Sequence, residues 1–90
     1  MGEEQLANLR NQIDAVDKKL LKLVLKRLEL VDQVSEVKRA NKLPVFVPGR
    51  EDEILNSLVS GVDPKYSSYV RDLFTNMLDV SKRYQIEKSW

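Results

Sequence analysis

The first forty residues contain no proline and, after Gly2, no glycine, and their apolar residues recur at every third or fourth position. This spacing is typical of one face of an α-helix. It predicts a single helix over residues 4–41, ended by the Leu43-Pro44 step, because the residue before a proline is disfavoured in the helical region. The apolar positions are Leu6, Leu9, Ile13, Val16, Leu20, Val24, Leu28, Val31, Val34 and Val37.

The length of this helix constrains the assembly. A helix of about 38 residues is roughly 57 Å long, whereas a compact globule of this chain length is only about 32 Å across. The helix therefore cannot lie inside a globule made by its own chain, and the remaining residues are too few to cover its apolar face. We expect a second copy of the chain to pack against it, which gives an intertwined helical homodimer.

Two shorter helices are predicted in the rest of the chain. The first follows Pro48-Gly49 and carries acidic residues in its first turn, where the helix dipole favours negative charge. The second follows Asp63, a typical N-cap residue, with Pro64 at the first helical position. The sequence thus predicts one all-α domain over residues 1–90, with three helices at about 4–41, 49–60 and 64–87.

The composition argues against several classes of function. Lys and Arg number 15 against 14 Asp and Glu, so there is no electrostatic basis for binding nucleic acid or an anionic membrane. Histidine and cysteine are absent, which removes the commonest metal ligand and any disulfide, and no metal or cofactor is predicted. No apolar run of about 18 residues occurs, and the acidic start does not resemble a signal peptide. We therefore expect a cytoplasmic protein.

Three cations interrupt the apolar face of the first helix. A heptad drawn through it puts Arg27 on one core track and Arg10, Asp17 and Lys38 on the other. A cation buried without a partner is costly, and one carboxylate does not balance three cations. The pattern therefore indicates an anionic ligand or a wet cavity. The alternative is that these side chains extend into solvent or pair with acids on neighbouring helices.

Helical geometry decides which of these cations can share a site. Arg27 and Lys38 lie about 20° apart around the helix and roughly 16 Å apart along it, so both can reach a ligand between them. Arg10 lies roughly 25 Å from Arg27, which is too far within one chain. In an antiparallel-type dimer, Arg10 of the partner subunit could reach the same place. The pattern predicts two equivalent anion pockets, each completed across the interface.

Two further features extend this candidate site. Arg50 and Glu51 open the second helix, and Ser81 and Gln85 continue the apolar stripe of the third helix at i, i+4 spacing. The alternative interpretations are a capping pair and a polar C-terminal turn.

Together these residues resemble the conserved pattern of the all-helical chorismate mutases. The local strings LRNQIDAVDKKLLKLVLKR, EVKRANKLPV and PGRE agree with that family. The string LFTNMLDVSKRYQ is most similar to the mutase portion of bifunctional mutase–prephenate dehydratases. The resemblance covers essentially the whole chain. The spaced set that carries it is Arg10, Arg27, Lys38, Arg50, Glu51, Ser81 and Gln85.

The resemblance implies a cofactor-free isomerase that converts chorismate to prephenate. It implies that Arg27 and Arg10 of the partner subunit bind the substrate carboxylates. It also implies that Lys38 contacts a carboxylate and the ether oxygen, and that Gln85 donates a hydrogen bond to the same ether oxygen.

The remaining positions follow the family pattern less completely. The resemblance implies that Glu51 accepts a hydrogen bond from the ring hydroxyl, and that Arg50 and Ser81 support the carboxylate end. Many family members carry Asp where this chain has Val47, and some carry Arg where it has Phe46. Any side-chain role at those two positions is lost, although the backbone N–H of Val47 can still contact the hydroxyl.

Two other functions remain open from the sequence. An isochorismate–pyruvate lyase shares the fold and the cationic pocket, but Glu51 favours the mutase because it suits the hydroxyl position of chorismate. A non-catalytic dimerisation or regulatory module would use the seam cations to fix helix register. Turnover of chorismate by the pure chain separates these possibilities.

Overall fold

The computed structural model describes residues 1–88, in which all the regular structure is helical. Helix α1 spans Gly2–Ala40, α2 spans Arg50–Val59 and α3 spans Pro64–Lys88. The predicted all-α class with three helices is confirmed, and each helix begins and ends within two residues of its predicted bounds. None of the described helices is long and apolar enough to cross a membrane.

Helix α1 is followed by a residue other than glycine in the left-handed backbone conformation. Lys42 has a φ of +55°, and its N–H donates to the Arg39 carbonyl at 3.3 Å while the Leu43 N–H donates to the Lys38 carbonyl at 2.7 Å. These two bonds form a Schellman motif, which satisfies the last carbonyls of the helix. The helix therefore ends at Ala40, just before the Leu43-Pro44 step predicted to stop it, and the chain turns sharply at this point.

Helices α2 and α3 differ in which atoms accept hydrogen bonds from the N–H groups of their first turn. Gly49 precedes α2 with a φ of +83°, a backbone conformation that favours glycine, and its carbonyl accepts from the Glu53 N–H at 3.0 Å. Asp63 precedes α3, and its Oδ1 accepts from the Lys65 N–H at 2.9 Å. The predicted N-cap at Asp63, with Pro64 at the first helical position, is thus confirmed.

The chain divides into two compact units, Met1–Leu30 and Val31–Trp90, the second described as far as Lys88. The first unit is the longer part of α1, and its apolar face is uncovered. Five side chains of that face are 50–57% exposed, namely Leu6, Leu9, Ile13, Val16 and Leu20. A single amphipathic segment has nothing of its own against which to bury such a face. The dimer expected from this face stays a prediction.

The second unit has a small core drawn from the end of α1, from α2 and from α3. Val31, Leu55 and Leu78, one from each helix in that order, are at most 9% exposed. Helix α2 packs against α3, and Arg71 Nη2 donates to Asn56 Oδ1 at 3.1 Å between these two helices. This core fixes the ends of α1 and α3, from which several of the predicted site residues project.

Candidate active site

Lys38 lies in the last turn of α1 and contacts two other segments of the second unit. Its Nζ donates to the Val45 carbonyl at 2.8 Å and to Gln85 Oε1 at 3.4 Å. The Schellman turn after Ala40 redirects the chain, which explains how Val45, only seven residues on, comes within reach. The half-buried lysine thus links α1, the connection to α2, and α3.

Gln85, on α3, has a defined amide orientation. A lysine ammonium group can only donate, so the atom that faces Lys38 must be the amide oxygen, and both amide donors point elsewhere. The two side chains border a cavity of about 130 Å³. The pocket is therefore bordered by a cation beside a neutral amide. Its other lining residues are Ser35, Arg39, Leu43, Val45 and Lys88.

Glu51 lies in the first turn of α2 and forms an ion pair with α3. Its Oε1 is 3.2 Å from Lys82 Nζ, and the two side chains are 39% and 36% exposed respectively. The same ammonium group lies 5.5 Å from the centroid of the Phe46 ring, within the range of a cation–π contact. The structure thus gives Glu51 a cationic neighbour that the sequence analysis did not identify.

Arg50 and Ser81 make local contacts. Arg50 Nη1 bonds to Glu53 Oε1 at 2.7 Å on an exposed face of α2. Ser81 is only 5% exposed, and its Oγ donates to the Met77 carbonyl at 3.0 Å, one turn earlier in α3. Neither residue lines the cavity beside Lys38 and Gln85. Because only Nη1 of Arg50 is engaged by Glu53, other donors of its guanidinium group are not used by this contact.

The segment between α1 and α2 carries the two departures from the family pattern. Phe46 is 55% exposed and Val47 is 46% exposed. The Val47 carbonyl accepts from the Arg50 N–H at 3.2 Å, which leads the chain into α2. Neither side chain has a hydrogen-bonding group, so neither can donate to or accept from a ligand there.

Arg10 and Arg27 belong to the first unit. Arg10 is exposed, whereas Arg27 is half-buried beside the half-buried Val24 and Leu28. Of the predicted site residues, the second unit contains Lys38, Val47, Arg50, Glu51, Ser81 and Gln85. Among these, Lys38 and Gln85 contact each other directly.

A hydrogen bond next to Gln85 joins α3 to α1. Tyr84 Oη donates to Asp32 Oδ1 at 2.7 Å. This hydrogen bond, together with partial burial and the negative charge of Asp32, raises the pKa of the Tyr84 hydroxyl above its usual value near 10. Tyr84 therefore stays protonated, and keeps donating, to a higher pH than an ordinary tyrosine.

Sequence reasoning missed Lys82, Tyr84 and Ser35. Lys82 and Tyr84 lie between Ser81 and Gln85 in the same stretch of α3, but their partners are on other helices and no local pattern reveals them. Ser35 lines the cavity, and its buried Oγ has no hydrogen-bond partner among residues 1–88. The only sequence signal for Ser35 was its position about one helical turn before Lys38 on α1.

The fold and these side chains define a small all-α domain whose pocket, with a cation and an amide side by side, suits a small anionic ligand. The family model described as chorismate mutase type II matches residues 9–86. The chain therefore belongs to the type II chorismate mutase family, a family of isomerases, and the resemblance predicted from the sequence is confirmed.

Several curated proteins are similar to this chain. It is 57% identical over 53 residues to the T-protein of Enterobacter agglomerans, which covers 59% of this chain and 14% of that protein. It is 29% identical over an alignment of 92 residues to the bifunctional chorismate mutase/prephenate dehydratase of Aquifex aeolicus, covering 92% of this chain and 25% of that protein. It is 38% identical over 55 residues to the chorismate mutase of Methanocaldococcus jannaschii, covering 61% and 56%.

The chain thus spans about one seventh of the length of the T-proteins that it matches. No solved structure matches the chain with statistical significance.

Proposed function

We propose that this domain converts chorismate to prephenate in the biosynthesis of phenylalanine and tyrosine, with Lys38 and Gln85 acting on the ether oxygen. The observation that carries the proposal is the 3.4 Å contact between these two side chains beside a cavity, in a chain of the chorismate mutase family. The rearrangement is unimolecular, so it needs a positioned substrate rather than a base or a nucleophile.

The chemistry explains why a cation and an amide are suitable. As the carbon–oxygen bond breaks, negative charge grows on the ether oxygen, and donors directed there bind the transition state better than the substrate. The ammonium group of Lys38 has three donors, of which Val45 and Gln85 occupy two, so one is left for the substrate. Each such donor is worth about 3–4 kcal/mol, or roughly 100- to 1000-fold in rate.

The substrate carboxylates need further cations, and we propose Arg27 and Arg10 of the partner subunit. Arginine suits this role because its planar fork binds a carboxylate through two hydrogen bonds. Two observations support a homodimer. The apolar face of the first unit is about half exposed, and the cavity of about 130 Å³ is smaller than the roughly 300 Å³ at which ligand pockets begin.

At the hydroxyl end, we propose that Glu51 accepts a hydrogen bond from the ring hydroxyl. Its side chain is about two-fifths exposed, which leaves room for a ligand to approach it. The backbone N–H of Val47 would contact the same hydroxyl, while Arg50 and Ser81 would support the carboxylate end. The cytoplasmic location expected from the sequence stays a prediction.

A turnover assay tests the proposed reaction. The pure chain is mixed with chorismate, the loss of chorismate absorbance is followed, and the product is identified by chromatography. We expect prephenate. Pyruvate released from isochorismate, without prephenate from chorismate, would indicate the lyase instead. No turnover of either compound would indicate a non-catalytic helical module.

Analytical ultracentrifugation tests the homodimer. We expect the mass of two chains at micromolar concentration. A folded monomer at that concentration would contradict both the dimer and the proposed sharing of Arg10 between subunits.

A further inference from the structure

Lys82 connects three segments of the second unit at one point. Its Nζ lies 3.2 Å from Glu51 Oε1 on α2 and 5.5 Å from the centroid of the Phe46 ring, which precedes α2. The lysine itself is on α3. No role is assigned to Lys82 by the mutase chemistry described so far, although its partner Glu51 is the proposed acceptor for the ring hydroxyl.

The position of Lys82 on α3 sets it beside the other site residues of that helix. At about 100° per residue, Ser81, Gln85 and Lys82 fall within a sector of about 100° around the helix axis, with Gln85 in the middle. Ser81 is buried and Gln85 contacts Lys38. Lys82 therefore borders the same face of α3 rather than the opposite, solvent-facing side.

The ion pair between Lys82 and Glu51 is too exposed to matter much for folding. Pairs of this kind contribute little to stability, because water screens the attraction and ordering two long side chains costs entropy. Its main consequence is geometric. A carboxylate has two oxygens with about four acceptor sites, and holding Oε1 at 3.2 Å leaves Oε2 available in a fixed direction.

We infer that Lys82 is a positioning residue for Glu51: it holds one carboxylate oxygen so that the other meets the ring hydroxyl of chorismate. This inference rests on the proposed function. Arg50, the cation adjacent to Glu51 in sequence, bonds instead to Glu53 at 2.7 Å. The Phe46 ring lies under the ammonium group and limits where Lys82 can move.

The kinetic signature of this role differs from that of Lys38 or Gln85. The ring hydroxyl does not react, so its hydrogen bond to Glu51 is made in the substrate complex and in the transition state alike. Losing such an interaction raises KM and leaves kcat nearly unchanged. A purely structural role would lower thermal stability and would not produce this selective change in KM.

The test compares Lys82→Met, Lys82→Gln, Lys82→Arg and Glu51→Gln, and the double variant Lys82→Met/Glu51→Gln, by steady-state kinetics with chorismate. We expect Lys82→Met and Lys82→Gln to raise KM by about 5-fold with kcat within about 2-fold, and Lys82→Arg to keep a KM near that of the parent. In the Glu51→Gln background, Lys82→Met should change KM by less than about 2-fold, because neighbouring residues that act together are not additive.

Lys65→Met is the matched control. Lys65 is also on α3 and also lies over an aromatic ring, 4.9 Å from the Tyr66 centroid, but it is not part of the proposed site. It should leave both kinetic constants unchanged.

If the parent is active and the folded Lys82→Met and Lys82→Gln variants keep the parent's KM, the inference is overturned and the proposed function is unaffected. An equal rise in KM in the Glu51→Gln background would also overturn it, since Lys82 would then act without Glu51. A parent that does not turn over chorismate would overturn the proposed function as well.

Discussion

The buried apolar residues of the chain, as far as it is described, all lie in the second unit, whereas the apolar face of the first unit is about half exposed. In the first unit, Leu6 and Ile13 are 50% and 57% exposed. In the second, Leu55 and Leu78 are 8% and 6% exposed. The difference does not come from the residues, which are equally apolar, but from the number of helices available. The second unit draws on three helices for its core, whereas the first unit is a single helical segment and needs another surface to cover its apolar face.

The predicted site residues are also distributed over both units. In the second unit, Lys38 contacts a carbonyl and an amide oxygen, and Lys82 contacts a carboxylate. Arg10 in the first unit is exposed. One chain thus organises the proposed ether-oxygen and hydroxyl ends of the site by itself. The proposed carboxylate end depends on Arg27 and on Arg10 of the partner subunit, and the comparison can be tested at these residues.

The largest expected effect is loss of a cation from either unit. Arg10→Ala, Arg27→Ala and Lys38→Ala should each lower kcat/KM at least about 100-fold while the protein stays folded, because each removes a charged hydrogen bond to the substrate. Mixing unfolded Arg10→Ala and Lys38→Ala chains and refolding them together should restore activity. Each heterodimer would have one pocket with both lesions and one with neither, so it should reach up to about half of the parent activity.

In the control, each variant is refolded alone and the two refolded proteins are then mixed. Mass spectrometry of tagged chains verifies that subunits have exchanged in the experiment itself. If heterodimers form and no activity returns, Arg10 does not act across the interface. The proposed contrast between Lys38, which acts in its own chain, and Arg10, which acts in the partner's site, would then be wrong.

The next effect concerns the second unit alone. Gln85→Glu should lower kcat at neutral pH by about 10- to 100-fold, because a carboxylate would face the growing negative charge and would also pair with Lys38, now 3.4 Å from Gln85 Oε1. Activity should rise as the pH falls toward and below about 4, where a glutamic acid next to a lysine becomes protonated and can donate. The measurement is kcat against pH for the parent and the variant.

Gln85→Ala is the companion variant, since it removes the donor without adding charge. It should lower kcat more than it raises KM and should show no recovery at low pH. A Gln85→Glu profile that matched the parent's at every pH would show that Gln85 does not touch the ether oxygen.

The helices could be predicted from the sequence because proline and glycine occur only between the helices or at their first residues. Asp63 and Pro64 marked the start of α3 correctly, and the three-or-four spacing marked α1 to within two residues. The end of α1 was predicted to within one residue, although the left-handed conformation that glycine usually supplies after a helix is adopted by Lys42.

The site was less accessible to sequence reasoning than the fold. The contact between Lys38 and Gln85 joins residues far apart in the chain, and only the resemblance to a family suggested that they meet. The pair of Lys82 and Glu51 was missed altogether, because no periodicity within one helix encodes which residue of another helix it faces. Such contacts depend on how α2 and α3 pack, and packing is a property of the folded unit.

The smallest expected effect is on the pH dependence of stability in the second unit. Tyr84 donates to Asp32, and its pKa is raised mainly by that hydrogen bond. The unfolded chain loses this proton near pH 10, while the folded chain keeps it to higher pH. The stabilising effect of Tyr84 is therefore fully present below about pH 10 and is lost as the pH rises through the folded-state pKa.

Urea unfolding of the parent and of Tyr84→Phe, from pH 7 to pH 11, tests this effect. The parent should be more stable at pH 7, and the difference in the free energy of unfolding should shrink above pH 10. Asp32→Asn keeps an acceptor but removes the charge, so with that variant the loss of stability above pH 10 should be smaller and should end at a lower pH. A stability difference between the parent and Tyr84→Phe that stayed constant up to pH 11 would show that this hydrogen bond does not hold α3 against α1.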